Sequence, residues 1–193
     1  KQSGIYIGYP CMSIDNPDFY PATVMNYILG GGSFNSRLTS EIRVKRGLAY
    51  SVFSLVRNRY STGVFMSFVQ TRNENVPLVL SLINENIDEM TKKTVPENEL
   101  SWARESIINS FIFKFENISS LLSNYLDIDY NNLDKNYYND YTYNIESVTA
   151  EEILQEAKLL FSSGTITVIA GNKNLANDLK PYGEVIILEN TGK

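Results

Sequence analysis

Between Gly4 and Cys11 the chain alternates, with Ile5, Ile7 and Tyr9 at every second position, and this period of two predicts a half-buried strand. "NPDFYPATVMNYILGG", from Asn16, changes to a helical period and stops at glycines. "SFNSRLTSEIRVKRG" then predicts a second helix, with Leu38 and Ile42 four apart on one face and Gly47 as the left-handed residue that ends it. "YSVFSLV" alternates again. The turn-like "RNRYSTG" and the strand-like "VFMSFVQT" complete a hairpin with it.

Two long helical patterns follow, over Asn75 to Lys92 and Pro96 to Phe115, with Leu82, Ile83, Ile87 and Met90 on one core face. Another helix is predicted from Ile118 to Leu133. "DKNYYNDYTYNIES", from Asp134 to Ser147, is polar, tyrosine-rich and without a clear period, and is read as a loop or connector. Thr149 and Glu152 form a capping box that opens a helix to about Phe161. "TITVIAG" is a strand-forming run, and a short helix near Ala176 and a last strand over "EVIILE" finish the chain. With no internal repeat and no low-complexity tract, the order describes one mixed domain over residues 1–193.

Composition narrows the classes this domain can serve. With 193 residues and 43% apolar content, the chain can bury one substantial core. A formal charge of -5 gives no general attraction to phosphate backbones or anionic lipid, so no nucleic-acid partner is expected. No stretch approaches the roughly 18 apolar residues of a membrane span. The single cysteine, Cys11, cannot form an internal disulfide, is read as a small core residue, and leaves the redox compartment undecided. The start, in strand-like alternation without an initiating methionine, is read as a fragment of something longer.

The chain has no histidine. That removes Ser-His-Asp and Cys-His catalysis, the His-Glu-x-x-His motif and every imidazole-based metal site. "DIDYNNLD", from Asp127, has oxygen ligands at alternate positions, but Asn132 stands where a calcium loop needs its sharp-turn glycine and Tyr138 where it needs its bidentate glutamate. Gly30, Gly31 and Gly32 fit neither phosphate-binding glycine motif, because both demand a preceding strand and the preceding element is helical. They are read as a tight helix-to-helix turn that needs positive φ and close backbone approach.

Arg37, Arg43, Lys45, Arg46, Arg57 and Arg59 cluster in a stretch whose only acid is Glu41. A solvated helix face accounts for such a cluster as well as a site does. Arg43, however, stands at a helix end, Gly47 stops that helix, and Tyr50 starts the adjoining strand, so both side chains can meet at one sheet edge. A guanidinium and a phenol there can donate hydrogen bonds to carbonyl oxygens, which suits holding an extended peptide backbone without chemistry on it.

"LGGGSFNSRLTSEIRVKRGLAYSV" resembles the signature of the second, non-catalytic half of pitrilysin/insulinase-type zinc metallopeptidases, the family that includes mitochondrial processing peptidase. The order of elements is similar to that half along nearly the whole chain. The resemblance implies an α+β fold: a curved mixed, largely antiparallel sheet with helices packed on one face, one shell of a clamshell that closes around a peptide. It implies that Arg43 and Tyr50 bind substrate main chain, while zinc and the catalytic glutamate belong to a partner half, fused or separate. No catalytic residue, metal ligand or cofactor is then expected in this chain, which alone should be inactive. Family members whose non-catalytic subunit binds targeting sequences resemble this chain less, because their glycine loop is longer and here only Gly30 to Asn35 precede Ser-Arg-Leu. A bacterial protease half is the resulting expectation, with a catalytically inactive structural subunit as the alternative.

Overall fold

The computed structural model describes residues 1–188. Strands β1 (Gln2–Cys11), β2 (Ala49–Asn58), β3 (Gly63–Arg72) and β4 (Ile166–Ala170) form one sheet in the order β2-β3-β1-β4, and all three pairings are antiparallel. Helices α1 (Phe19–Asn26), α2 (Val76–Lys92), α3 (Glu97–Phe111), α4 (Ile118–Tyr130), α5 (Tyr137–Ser147), α6 (Ala150–Ser162) and α7 (Ala176–Leu179) complete the α+β architecture.

The two-residue period decides which face is covered. Ile5, Ile7 and Tyr9 of β1 point the same way as Phe65 and Val69 of β3, all buried, and α1, α2 and α6 back this face. Removing these side chains from water contributes roughly 1.5–3 kcal/mol for each large one. The helices dock by matching stripes: Val79, Leu80, Ile83, Ile87 and Met90 of α2 are buried, as are Ile153, Ala157 and Leu160 of α6. The Thr149–Glu152 capping box forms as predicted, the Thr149 hydroxyl accepting from the Glu152 N–H at 3.2 Å and the Glu152 carboxylate from the Thr149 N–H at 2.7 Å.

The opposite face is also apolar. Phe53, Phe68, Tyr6 and Val168 lie in register across all four strands, with ring centroids 5.4 Å apart for Phe53 and Phe68 and 4.6 Å for Tyr6 and Phe68. Tyr6, Phe53, Val168 and the neighbouring Ile166 are exposed. Helix α4 is equally unpartnered: Ile118, Leu122, Tyr125 and Leu126 are all exposed, and Asn124 is its one buried residue.

Several elements depart from the sequence pattern. Asp134 to Ser147, read as a connector, is mostly helix α5, because Tyr141 and Ile145, four apart, are buried and the Tyr141 ring stacks on Phe111 of α3 at 4.9 Å. Burial pushes the Tyr141 phenol up to about 12. The helix predicted over residues 33–47 is broken into a 3₁₀ turn at Ser33–Asn35 and a π-helical turn at Thr39–Val44, although Leu38 and Ile42 are buried as expected. No strand forms over 184–188, where Ile186 and Leu188 are exposed, and Glu189 lies outside the described residues. Cys11 lies against the core without being fully buried, and its partial burial raises the thiol above its ordinary range.

Candidate functional site

The chain from Gly30 to Ser51 builds one corner of the molecule. It begins where α1 runs into a π-helical turn, Tyr27–Gly31, that lies against β2. None of Gly30, Gly31 and Gly32 has positive φ; Gly32 has φ -82°, and the left-handed residue is Ser33 at φ 55°. The positive φ expected of the glycines is therefore corrected, while the close approach is real. A Cβ on Gly30 would stand 2.5 Å from Ser54 Oγ and 2.7 Å from its backbone N, and one on Gly32 would stand 2.6 Å from the Tyr27 carbonyl and run into the Trp102 ring. The Ser54 hydroxyl, pinned beneath Gly30, donates to Asn26 Oδ1 at 2.7 Å.

Two buried hydroxyls tie the next segment down. Ser36 Oγ donates to the Ser33 carbonyl at 2.8 Å and lies 3.0 Å from Thr39 Oγ1. The Lys45 N–H then donates to the Ser40 carbonyl at 2.9 Å, one residue further back than in an α-helix, which carries Arg43 around the turn. Gly47, at φ 61°, ends the turn as predicted, its N–H on the Arg43 carbonyl at 3.0 Å. Strand β2 starts two residues later with a bulge. Ala49 pairs with Thr71 and Ser51 with Gln70, so Tyr50 is the extra residue and is 84% exposed.

The bulge and the turn bring Arg43 and Tyr50 together, the guanidinium carbon 4.7 Å from the Tyr50 ring centroid. A third residue joins them. Phe34 is 59% exposed, and its ring centroid lies 4.6 Å from the same guanidinium carbon. Nothing in the sequence singled out Phe34. It stands nine residues before Arg43, a separation that brings no two side chains together on a regular helix, and the contact exists because the helix is broken between them.

Half of the basic cluster is neutralised; Arg43, Arg57 and Arg59 form no ion pair among the described residues. Arg37 donates through Nε and Nη2 to Glu99 Oε2 at 2.9 and 2.8 Å, and Lys45 and Arg46 both pair with Glu41. Hydrogen bonds from Lys45 and then Arg46 hold the Glu41 carboxyl below its ordinary range. Among the described residues Arg43 has neither an ion pair nor a side-chain hydrogen bond, and it lies half-buried against two rings with its N–H donors unclaimed. Strand β2, which carries Tyr50, is an edge of the sheet.

A family model described as the peptidase M16 inactive domain matches residues 1–107, a span that contains the whole corner. The chain belongs to that family. A non-peptidase homolog of Helicobacter pylori is 31% identical over 160 residues, which cover 79% of this chain and 35% of that protein. An uncharacterized zinc protease of Streptomyces coelicolor is 28% identical over 64% of this chain and 27% of its own length. The chain therefore spans about a third of the curated relatives it matches. The crystal structure of the peptidase M16 inactive domain from Pseudomonas fluorescens superposes with a TM-score of 0.79 at 28% identity, over 88% of this chain and 41% of that one.

The donor set of this M16 inactive domain does not fit the zinc of its family. There is no histidine in the chain, and among the described residues no three of the Cys, Asp and Glu side chains come together. Among them, too, no helix is long and apolar enough to cross a membrane.

Proposed function

We propose that this chain is the substrate-binding, non-catalytic half of a zinc-dependent metalloendopeptidase that acts on peptides or unfolded segments. A partner half, fused or separate, supplies the zinc, and residues 1–193 are one domain of that larger assembly. The observation that carries the reading is the acid-free contact of Arg43 with the exposed Tyr50 at the start of an edge strand. Arg43 N–H groups and the Tyr50 hydroxyl donate to carbonyls of an extended peptide, and Gly30, Gly31, Gly32 and Gly47 set the backbone path that holds them there. Bond cleavage belongs to the partner half. The apolar outer face of the sheet and the bare face of α4 support a partner, since each is a surface that water alone covers poorly.

Mixing the purified chain with a catalytic half tests the proposal. The mixture should form a complex that cleaves an unfolded peptide, with neither piece active alone; full activity from the catalytic half alone would contradict it. The similarity to a non-peptidase homolog favours a second reading, a structural or interaction subunit without proteolysis. Under that reading the complex forms and remains inactive, and no His-x-x-Glu-His accompanies this chain in its own polypeptide or in the adjacent gene.

A further inference from the structure

The contact between Phe34 and Arg43 assigns a task to a residue that no motif marks. An arginine on a turn without a carboxylate partner samples several rotamers, and a binding arginine has to be held before the ligand arrives. The neighbouring cations are held by carboxylates, Arg37 by Glu99 and both Lys45 and Arg46 by Glu41. A carboxylate beside Arg43 would fix it too, but it would occupy the N–H donors and cancel the charge. An aromatic ring attracts the guanidinium through the negative potential of its face and takes no N–H bond. Phe34 and Tyr50 both do this, at 4.6 and 4.7 Å, and they leave the donors unspent.

The placement of Phe34 is itself costly to maintain. It follows Ser33, a non-glycine residue at φ 55°, a conformation that few such residues adopt. It sits on a turn locked at Gly32 against the Tyr27 carbonyl and the Trp102 ring. The ring is 59% exposed, so burial in the core does not account for an aromatic residue there.

We infer that Phe34 is a positioning residue for peptide binding, holding the Arg43 guanidinium beside Tyr50 with its donors free for main-chain carbonyls. The inference rests on the reading that Arg43 binds substrate. Its test compares wild type with Phe34→Leu, which keeps an apolar side chain without a π face, and Phe34→Tyr, which restores the face. The probe is a fluorescein-labelled unfolded peptide lacking acidic side chains, titrated by anisotropy against the 193-residue chain. Phe34→Leu should weaken binding roughly 5- to 10-fold, as loss of preorganisation does, and Phe34→Tyr should restore it to near the wild-type value. The Nε–H resonance of Arg43, shifted by the adjacent rings in wild type, should move towards its free position in Phe34→Leu and not in Phe34→Tyr, with melting temperatures unchanged in both.

Wild-type affinity in Phe34→Leu would overturn the role of Phe34 while leaving peptide binding by Arg43 in place. Equal loss of affinity in both variants would overturn it as well, since the aromatic face would then not be what matters. Wild type that binds no peptide would overturn the peptide-binding reading first, and this inference with it.

Discussion

The glycine turn and the arginine corner lie about ten residues apart in one continuous stretch, and they solve opposite problems. At Gly30 and Gly32 the chain is packed until no side-chain carbon fits, against Ser54, Tyr27 and Trp102. At Arg43 and Tyr50 it is open: the tyrosine is thrust outward by a bulge, and the arginine, alone in its immediate sequence neighbourhood, has no acid beside it. A protein that needed only rigidity here would pair Arg43 as it pairs Arg37, Lys45 and Arg46. On the proposed reading, the difference separates a scaffold, whose substitution costs folding, from a site, whose substitution costs binding.

The sharpest way to stress that division is on the scaffold side. Gly30→Ala places a methyl group against the backbone N of Ser54 in β2, which cannot swing aside, and should cost about 2–3 kcal/mol of stability. Chemical denaturation measures it, and a loss below about 0.5 kcal/mol would mean that the turn is not locked. On the site side, Arg43→Ala should cost about 1.5–3 kcal/mol in peptide binding, the range for a lost charged donor, with little change in the midpoint of unfolding.

Glu156 offers the contrasting unpaired ionisable side chain, fully buried where Arg43 is half-buried. It is 3% exposed, and neither carboxylate oxygen has a hydrogen-bond partner among the described residues. Burial first, and the negative charge of Asp18 second, push its pKa from 4.5 up to about 8. The folded state therefore holds the proton more tightly than the unfolded chain does. Its stabilising contribution is complete below about pH 4.5 and is lost as pH rises through about 8. Glu156→Gln, which stays neutral, should flatten that decline and be more stable than wild type by about 1–3 kcal/mol at alkaline pH, read from urea midpoints across pH. Peptide binding at Arg43, which is not in contact with Glu156, should not follow the same curve. Wild-type stability that is level across this range would show that Glu156 finds a partner or water in solution.

Much of this was visible in the residues, and the reasons for the remainder are physical. The strands were legible because Ile5, Ile7 and Tyr9 repeat at the sheet period, and α6 because its capping box is a local signal. The turn at Gly47 was legible because only glycine takes that φ at little cost. Helix α5 was not, because its buried face is built from Tyr141 and Ile145 in a run whose other tyrosines and asparagines read as polar. Arg43 and Tyr50 could be placed together from the order of helix end, stop and strand. Phe34 could not, since its contact depends on how the helix breaks, and the neutralising of Arg37 depends on Glu99, 62 residues away. The family resemblance implied a binding role for Arg43 and Tyr50 and was silent on what holds them.

The smallest expected effect belongs to Tyr50→Phe, which removes one hydroxyl and keeps the ring against Arg43; it should cost about 0.5–1.5 kcal/mol in binding. That variant and Arg43→Ala together test the central claim, that this corner holds substrate and does not brace the fold. The measurement is melting temperature and kcat/KM on the same preparations, each variant reassembled with the catalytic half. Binding through these donors predicts kcat/KM reduced in both, more in Arg43→Ala, with melting temperatures near wild type. Unchanged kcat/KM alongside a large fall in melting temperature would contradict it and make Arg43 and Tyr50 part of the scaffold.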